Sequence, residues 1–116
     1  MSEGKGIGPI VGGEARLLAK LLDAATIRHR VIASNLANAS NPDFKRKDVR
    51  FDEALSKAIA SGKDVSRVRP EVFETGERVE LETEMGRLAQ NSLAYKTWAE
   101  VLARKLAIIR TAITGR

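Results

Sequence analysis

The 116-residue sequence contains no cysteine, which excludes disulfide staples and thiolate zinc sites and leaves no redox mark of its compartment. Aromatic residues are scarce: three Phe, one Tyr and one Trp. Large rings normally dominate core energetics, so burial here must come mainly from Leu, Ile, Val and Ala along helices, which bury narrow stripes. No segment approaches the ~20 apolar residues that span a bilayer. The glycine-rich residues 1–13 lack the continuous apolar stretch of a secretory signal and read as a flexible tail. The glycines Gly4, Gly6 and Gly8 have neither a Walker pattern nor a preceding strand. Histidine occurs once. His29 has no carboxylates at ligand spacing and no cysteine to join it, so it reads as a packed or interface residue rather than a metal ligand or general base.

What is present is a pair of helical seams. Near the C-terminus, Met85, Leu88, Ser92, Tyr95, Ala99, Leu102, Leu106, Ile109 and Ile113 are spaced alternately by three and four. A straight helix drifts off a strict seven-residue repeat, so a seam held through about four heptads asks for a partner helix alongside. Leu18, Leu22, Ala25, His29, Ile32 and Leu36 form a second seam within residues 14–38, widened by Leu17, Leu21 and Ala33. At ~1.5 Å per residue that helix is a rod of roughly 35 Å. These spacings make Leu18, Leu22, Ile32, Leu36, Met85, Leu88, Tyr95, Leu102, Leu106, Ile109 and Ile113 the candidate assembly residues.

Between the seams the chain changes character. Asn38-Ala39-Ser40-Asn41-Pro42-Asp43 stops the first helix, because Pro42 disfavours helical geometry at Asn41 and the short polar side chains bond nearby backbone. Residues 44–51 alternate imperfectly and could be extended, and Asp52 could cap a short helix through Ile59 that stops near Gly62, the turn and connector together covering 39–62. Residues 63–80 match neither period and read as a loop or a segment that orders on assembly. Glu80, Glu82 and Glu84 bracket the start of the last helix, about 82–114, where carboxylates suit the partial positive charge of the first turn. The fold expected is mainly α: one domain over 14–116, its two long terminal helices pairing as a coiled-coil-like hairpin around a largely irregular middle.

Charge is uneven along this plan. Residues 1–50 carry a net +4, 51–82 a net −3 and 83–116 a net +4, which fits complementarity between subunits. Lys45, Arg46, Lys47 and Arg50 are the candidate phosphate-neutralising cluster, but Asp48 interrupts them and no recognition helix, zinc site or aromatic platform accompanies them. They read as a solvated or intersubunit edge. A small basic nucleic-acid-associated helical protein is the alternative reading, and a generic coiled-coil adaptor a further one.

The stretch Val31-Ile32-Ala33-Ser34-Asn35-Leu36-Ala37-Asn38-Ala39-Ser40-Asn41-Pro42-Asp43-Phe44-Lys45 resembles the signature of flagellar rod and hook proteins, in which a helix ending in Ser-Asn-(Leu/Ile)-Ala-Asn runs into a proline turn. The motif positions are Ser34, Asn35, Leu36, Ala37, Asn38, Pro42 and Phe44. Phe51-Asp52-Glu53-Ala54-Leu55, residues 79–85, residues 91–95 and residues 110–116 extend the likeness, which is greatest to the proximal rod family FlgB. Where that family usually has Thr-Pro-Gly-Tyr, this chain has Asn41-Pro42-Asp43-Phe44, placing Asp43 at a position suited to positive φ.

The resemblance implies a non-enzymatic structural subunit without cofactor. Such a subunit assembles helically in the periplasmic rod and passes torque from the rotor ring towards the distal rod and hook. It implies export by the flagellar type III apparatus without a cleaved signal peptide. The neighbours it implies are copies of itself, other rod proteins, the adaptor FliE, and the junction of MS-ring and export gate, with neither nucleic acid nor direct membrane insertion.

Overall fold

The computed structural model describes the backbone of residues 7–115 and the side chains of residues 13–115. Two long helices dominate it. Helix α1 spans Ile7–Ala37, and helix α3 spans Leu81–Thr114; between them lie strand β1 (Lys45–Arg50), helix α2 (Asp52–Ala60), a 3-10 turn (Val65–Arg67) and strand β2 (Glu71–Arg78). The Asn35 side chain meets Glu84, Asn91 meets the carbonyl of Ala25, and Lys105 meets Glu14, so α1 and α3 run antiparallel as the expected hairpin. The molecule is a slab of 57 × 32 × 15 Å.

Helix α1 begins earlier than the glycines suggested. Residues 1–6 of the expected tail lie outside the described residues, but 7–13 are helical. Pro9 falls in the first turn, where its missing N–H has no intrahelical partner to lose. Gly12 and Gly13 each cost the helix about 1 kcal/mol.

At its other end α1 stops as the composition dictates. The Asn38 N–H donates to the Ser34 carbonyl at 3.1 Å and its side-chain Nδ2 to the same oxygen at 2.8 Å, satisfying a helix end that would otherwise lack partners. Asn41 Oδ1 accepts from the Asp43 N–H at 3.0 Å, and the Phe44 N–H closes the turn on the Asn41 carbonyl at 3.1 Å. No non-glycine residue among those described has positive φ, so Asp43 fits this turn without the strain its position suggested.

The middle is ordered, in contrast to the irregular segment expected over 63–80. Strand β2 pairs antiparallel with β1, with Val49 opposite Val72 and Arg50 opposite Glu71, and an irregularity between Lys45 and Lys47. The Arg50 guanidinium lies 3.8 Å from the centre of the Phe73 ring, and its Nη1 lies 3.5 Å from Glu71. Charge on both strands hid the alternation in the sequence, whereas cross-strand pairing turns those charges into contacts. Asp52 does not cap α2: Phe51 occupies the N-cap with no side-chain hydrogen bond, and Asp52 Oδ1 accepts from Arg28 at 3.0 Å instead.

The small core sits where this middle lobe meets α1. Phe51, Leu55 and Ala24 are buried together, with Leu17, Leu21, Val65 and Val68 against them. Lys20 extends from α1 to donate to the Val68 carbonyl at 2.8 Å. Helix α3 contributes nothing to this cluster. It is tied to the lobe by charge.

Candidate functional site

Asn35 sits on the last turns of α1 with no exposed surface. Its Nδ2 donates to the Lys47 carbonyl at 2.9 Å while its Oδ1 accepts from the Lys47 N–H at 2.9 Å. The side-chain amide thereby imitates a neighbouring strand and closes the outer edge of β1. The second Nδ2 hydrogen reaches Glu84, at 3.2 Å to Oε1 and 3.4 Å to Oε2. An amide has two donors and one acceptor oxygen, and here all three are engaged.

Glu84, on the first turn of α3, is also without exposed surface. Its Oε1 accepts from Arg46 Nε at 2.7 Å and from Arg87 Nη1 at 3.1 Å. Arg46 is 4 % exposed; its Nη1 lies 3.4 Å from Asp48 and 4.0 Å from Glu77, and Thr75 donates to its backbone carbonyl at 3.1 Å. Burial alone would lower the Arg46 pKa, but hydrogen bonding and attraction to Glu84, with help from Asp48, hold it above its ordinary value. One carboxylate thus joins α1, β1 and α3, and Arg46 carries the contact on to β2. Buried charges are tolerated when this fully partnered, and removing one partner strands the other.

This arrangement refines one sequence reading and corrects another. Glu84 does lie on the first turn of α3, as its helix-start reading expected, but it is buried there at the centre of the joint. The basic cluster is not one edge: Arg46 is buried on Glu84 and Arg50 is stacked on Phe73, leaving Lys45 and Lys47 exposed. The sequence signal that could have found the joint was Asn35 inside an otherwise apolar seam, because a buried amide requires partners.

The seam residues divide. Leu18 and Ile32 are buried between the helices; Leu22, Leu36, Leu88, Leu102 and Ile109 are half-buried; Met85, Tyr95, Leu106 and Ile113 are exposed, Ile113 at 78 %. The side of α3 turned towards α1 is instead centred on Glu84, Leu88, Asn91, Trp98 and Leu102. The expected seam is therefore rotated, half of it facing α1 and half forming an apolar strip in solvent. His29 is exposed beside that strip rather than packed. Among the described residues no group of three or more His, Cys, Asp or Glu could hold a metal ion, and no helix is long and apolar enough to cross a membrane.

No protein-family model matches the chain. Individual relatives do. It is similar to the flagellar basal body rod protein FlgB of Aquifex aeolicus, 29% identical over 114 positions covering 86% of this chain and 92% of the relative. FlgB of Bacillus subtilis is 27% identical over 125 positions, covering 91% and 97%, and FlgB of Borrelia hermsii 27% over 122, covering 81% and 90%. The similarity to FlgB proteins of several bacteria, at 27–29% identity over most of the chain, supports the FlgB family. In this chain the motif residues have definite places: Ser34 and Asn38 finish α1, Asn35 anchors β1 and α3, Leu36 is half-buried and Ala37 exposed on the last turn of α1, and Pro42 and Phe44 lie in the turn that brings β1 back onto the helix. None of them converges on a ligand pocket.

Proposed function

We propose that this chain is a structural, non-enzymatic subunit of the flagellar basal-body rod, assembling helically in the periplasm and carrying torque from the rotor ring towards the distal rod and hook. The observation that carries this reading is the coexistence of the rigid Asn35–Arg46–Glu84 joint with an uncovered apolar strip on α3. The joint fixes the lobe on the helix pair, so a load on one is transmitted to the other. The strip, with Met85, Tyr95, Leu106 and Ile113 in solvent, offers adjoining subunits a surface to cover; each such side chain contributes about 1.5–3 kcal/mol when fully buried. A contact of this kind repeated by a rotation that does not close generates a helical tube.

In this reading the neighbours are copies of the chain, other rod proteins, the adaptor FliE, and the MS-ring and export-gate junction. The protein reaches them by flagellar export without a cleaved signal. The test is deletion of the gene in the native cell with flagella counted by electron microscopy and a tagged copy sought in purified basal bodies. Loss of flagella, with the tagged protein in basal bodies, is expected. Normal flagella in the deletion strain, with the protein on nucleic acid, would overturn the reading.

A further inference from the structure

The two strands of the middle lobe end in unlike edges. On the inner side Lys47 directs its N–H and its carbonyl to the Asn35 amide, so both groups point away from β2. Lys47 and its partner Glu74 are therefore a pair without mutual hydrogen bonds. By alternation so are Val49 and Val72, while Asp48–Phe73 and Arg50–Glu71 carry the ladder. It follows that the N–H and carbonyl of both Val72 and Glu74 point outward from β2. Both residues are exposed, and among the described residues β1 is the element that packs along β2. Outward groups in a row are a template for another strand. The template is short. Pro70, which has no N–H, ends it on one side, and Gly76, at φ 82 beside the irregularity in the ladder, ends it on the other.

We propose that β2 pairs edge to edge with β2 of a second copy of this chain, antiparallel, joining two lobes into one continuous sheet. Register decides the occupant. Outward residues must meet outward residues, so Val72 and Glu74 can be aligned with their copies in only a few ways. Glu74 opposite Glu74 sets like charges face to face. Val72 opposite Val72 brings Pro70 against Glu74, where the ladder lacks a donor. The remaining alignment places Val72 opposite Glu74 on both sides of a two-fold axis, and each pair exchanges both hydrogen bonds. Phe73 then meets Phe73 at the axis, in a close pair without mutual hydrogen bonds, and Glu71 meets Thr75. Pro70 and Gly76 fall opposite each other, just beyond the ladder. The charges agree with this pairing: Glu71 is already balanced by Arg50 at 3.5 Å, and the same guanidinium lies 3.8 Å from the centre of the Phe73 ring. A strand that complements itself in one register is what an isologous contact requires. Such a pair closes on itself and builds no tube, so it is a form of the free chain and goes beyond the rod reading.

The test follows amide hydrogen exchange of the purified full chain by NMR, from dilute to concentrated solution. Exchange at Val72 and Glu74 is expected to slow about tenfold or more on concentration, while Glu71 and Phe73, bonded to β1, stay unchanged. The absence of cysteine allows a second measurement. At the axis the two Cα atoms of position 73 lie about 4.5 Å apart, within disulfide reach, whereas two copies of position 72 are out of step and beyond it. Under air oxidation Phe73→Cys is expected to give covalent dimer about tenfold faster than Val72→Cys. Adding Glu74→Pro, which removes an outward N–H and leaves the β1 ladder intact, should abolish that advantage. Exchange at Val72 and Glu74 that ignores concentration, dimerisation through position 72 as fast as through 73, or a link at 73 that Glu74→Pro leaves unchanged would each overturn the pairing. Both readouts use the purified chain, so their failure leaves the rod reading to its own test.

Discussion

The two halves of α3 belong to one continuous helix and are held in opposite ways. From Leu81 to Trp98 the helix is anchored by polar groups: Glu84 under Arg46, Arg87 and Asn35, then Asn91 on the Ala25 carbonyl. From Ala99 to Thr114 no residue is buried; Leu106, Ile108 and Ile113 face solvent and the exposed Lys105–Glu14 ion pair at 2.9 Å is the cross-link to α1. Buried polar groups impose one geometry because every alternative leaves a donor or acceptor unpaired, whereas apolar contacts tolerate sliding. The first half therefore fixes the shape of the chain, and the second leaves its apolar side chains in solvent.

The sharpest way to break that contrast is Glu84→Ala. It leaves the Arg46 guanidinium buried and unpaired, and a loss of about 3–5 kcal/mol is expected in urea unfolding; a loss under 1 kcal/mol would mean the joint does not define the subunit. Asn35→Ala comes next, at about 2 kcal/mol, through the Lys47 N–H and carbonyl it abandons. Lys47 then separates backbone from side chain. Lys47→Ala should stay within about 0.5 kcal/mol, while Lys47→Pro, which deletes the N–H that Asn35 accepts, should be clearly worse in the same assay.

On the solvent-facing half the readout changes. Leu106→Asp should shift stability by no more than about 0.5 kcal/mol, since Leu106 is half exposed already, yet abolish swimming while the protein is still exported. If unfolding rather than swimming is affected, the two halves are not functionally distinct.

The smallest effect concerns the 3-10 turn. The Ser66 hydroxyl and backbone N–H hold the Asp64 carboxyl below its ordinary value. A group whose folded pKa is depressed stabilises above its unfolded value and loses that contribution as pH falls through the folded one. The Ser66 amide resonance should therefore move at more acidic pH than an unstructured aspartate titrates, with little change in overall stability because the carboxyl is solvated.

Legibility in the sequence followed periodicity. Helix α1 could be read from its uninterrupted three-and-four spacing and its Asn–Pro stop, and α3 from residues 81–114 with Gly115 at φ 74 as its C-cap. Strand β1 was partly legible. Strand β2 was not, because Glu71, Glu74, Glu77 and Arg78 obscure a two-residue period that only cross-strand partners make favourable. The joint was half legible: the motif singled out Asn35, but nothing local distinguishes Glu84 from Glu80 and Glu82.

By itself the sequence determined the two long helices, their antiparallel return around a polar turn, the scarcity of core-forming rings and the likeness to FlgB, since spacing, propensity and turn chemistry act within a few residues of one another. Only the tertiary structure decided which face of α3 turns inward, that Arg46 and Glu84 are buried on each other, and that the middle lobe is a strand pair. Those outcomes depend on partners 38 to 49 residues apart in the chain, Arg46 and Asn35 meeting Glu84, and the free energy of a buried charge is set by the atoms that surround it rather than by its neighbours in sequence.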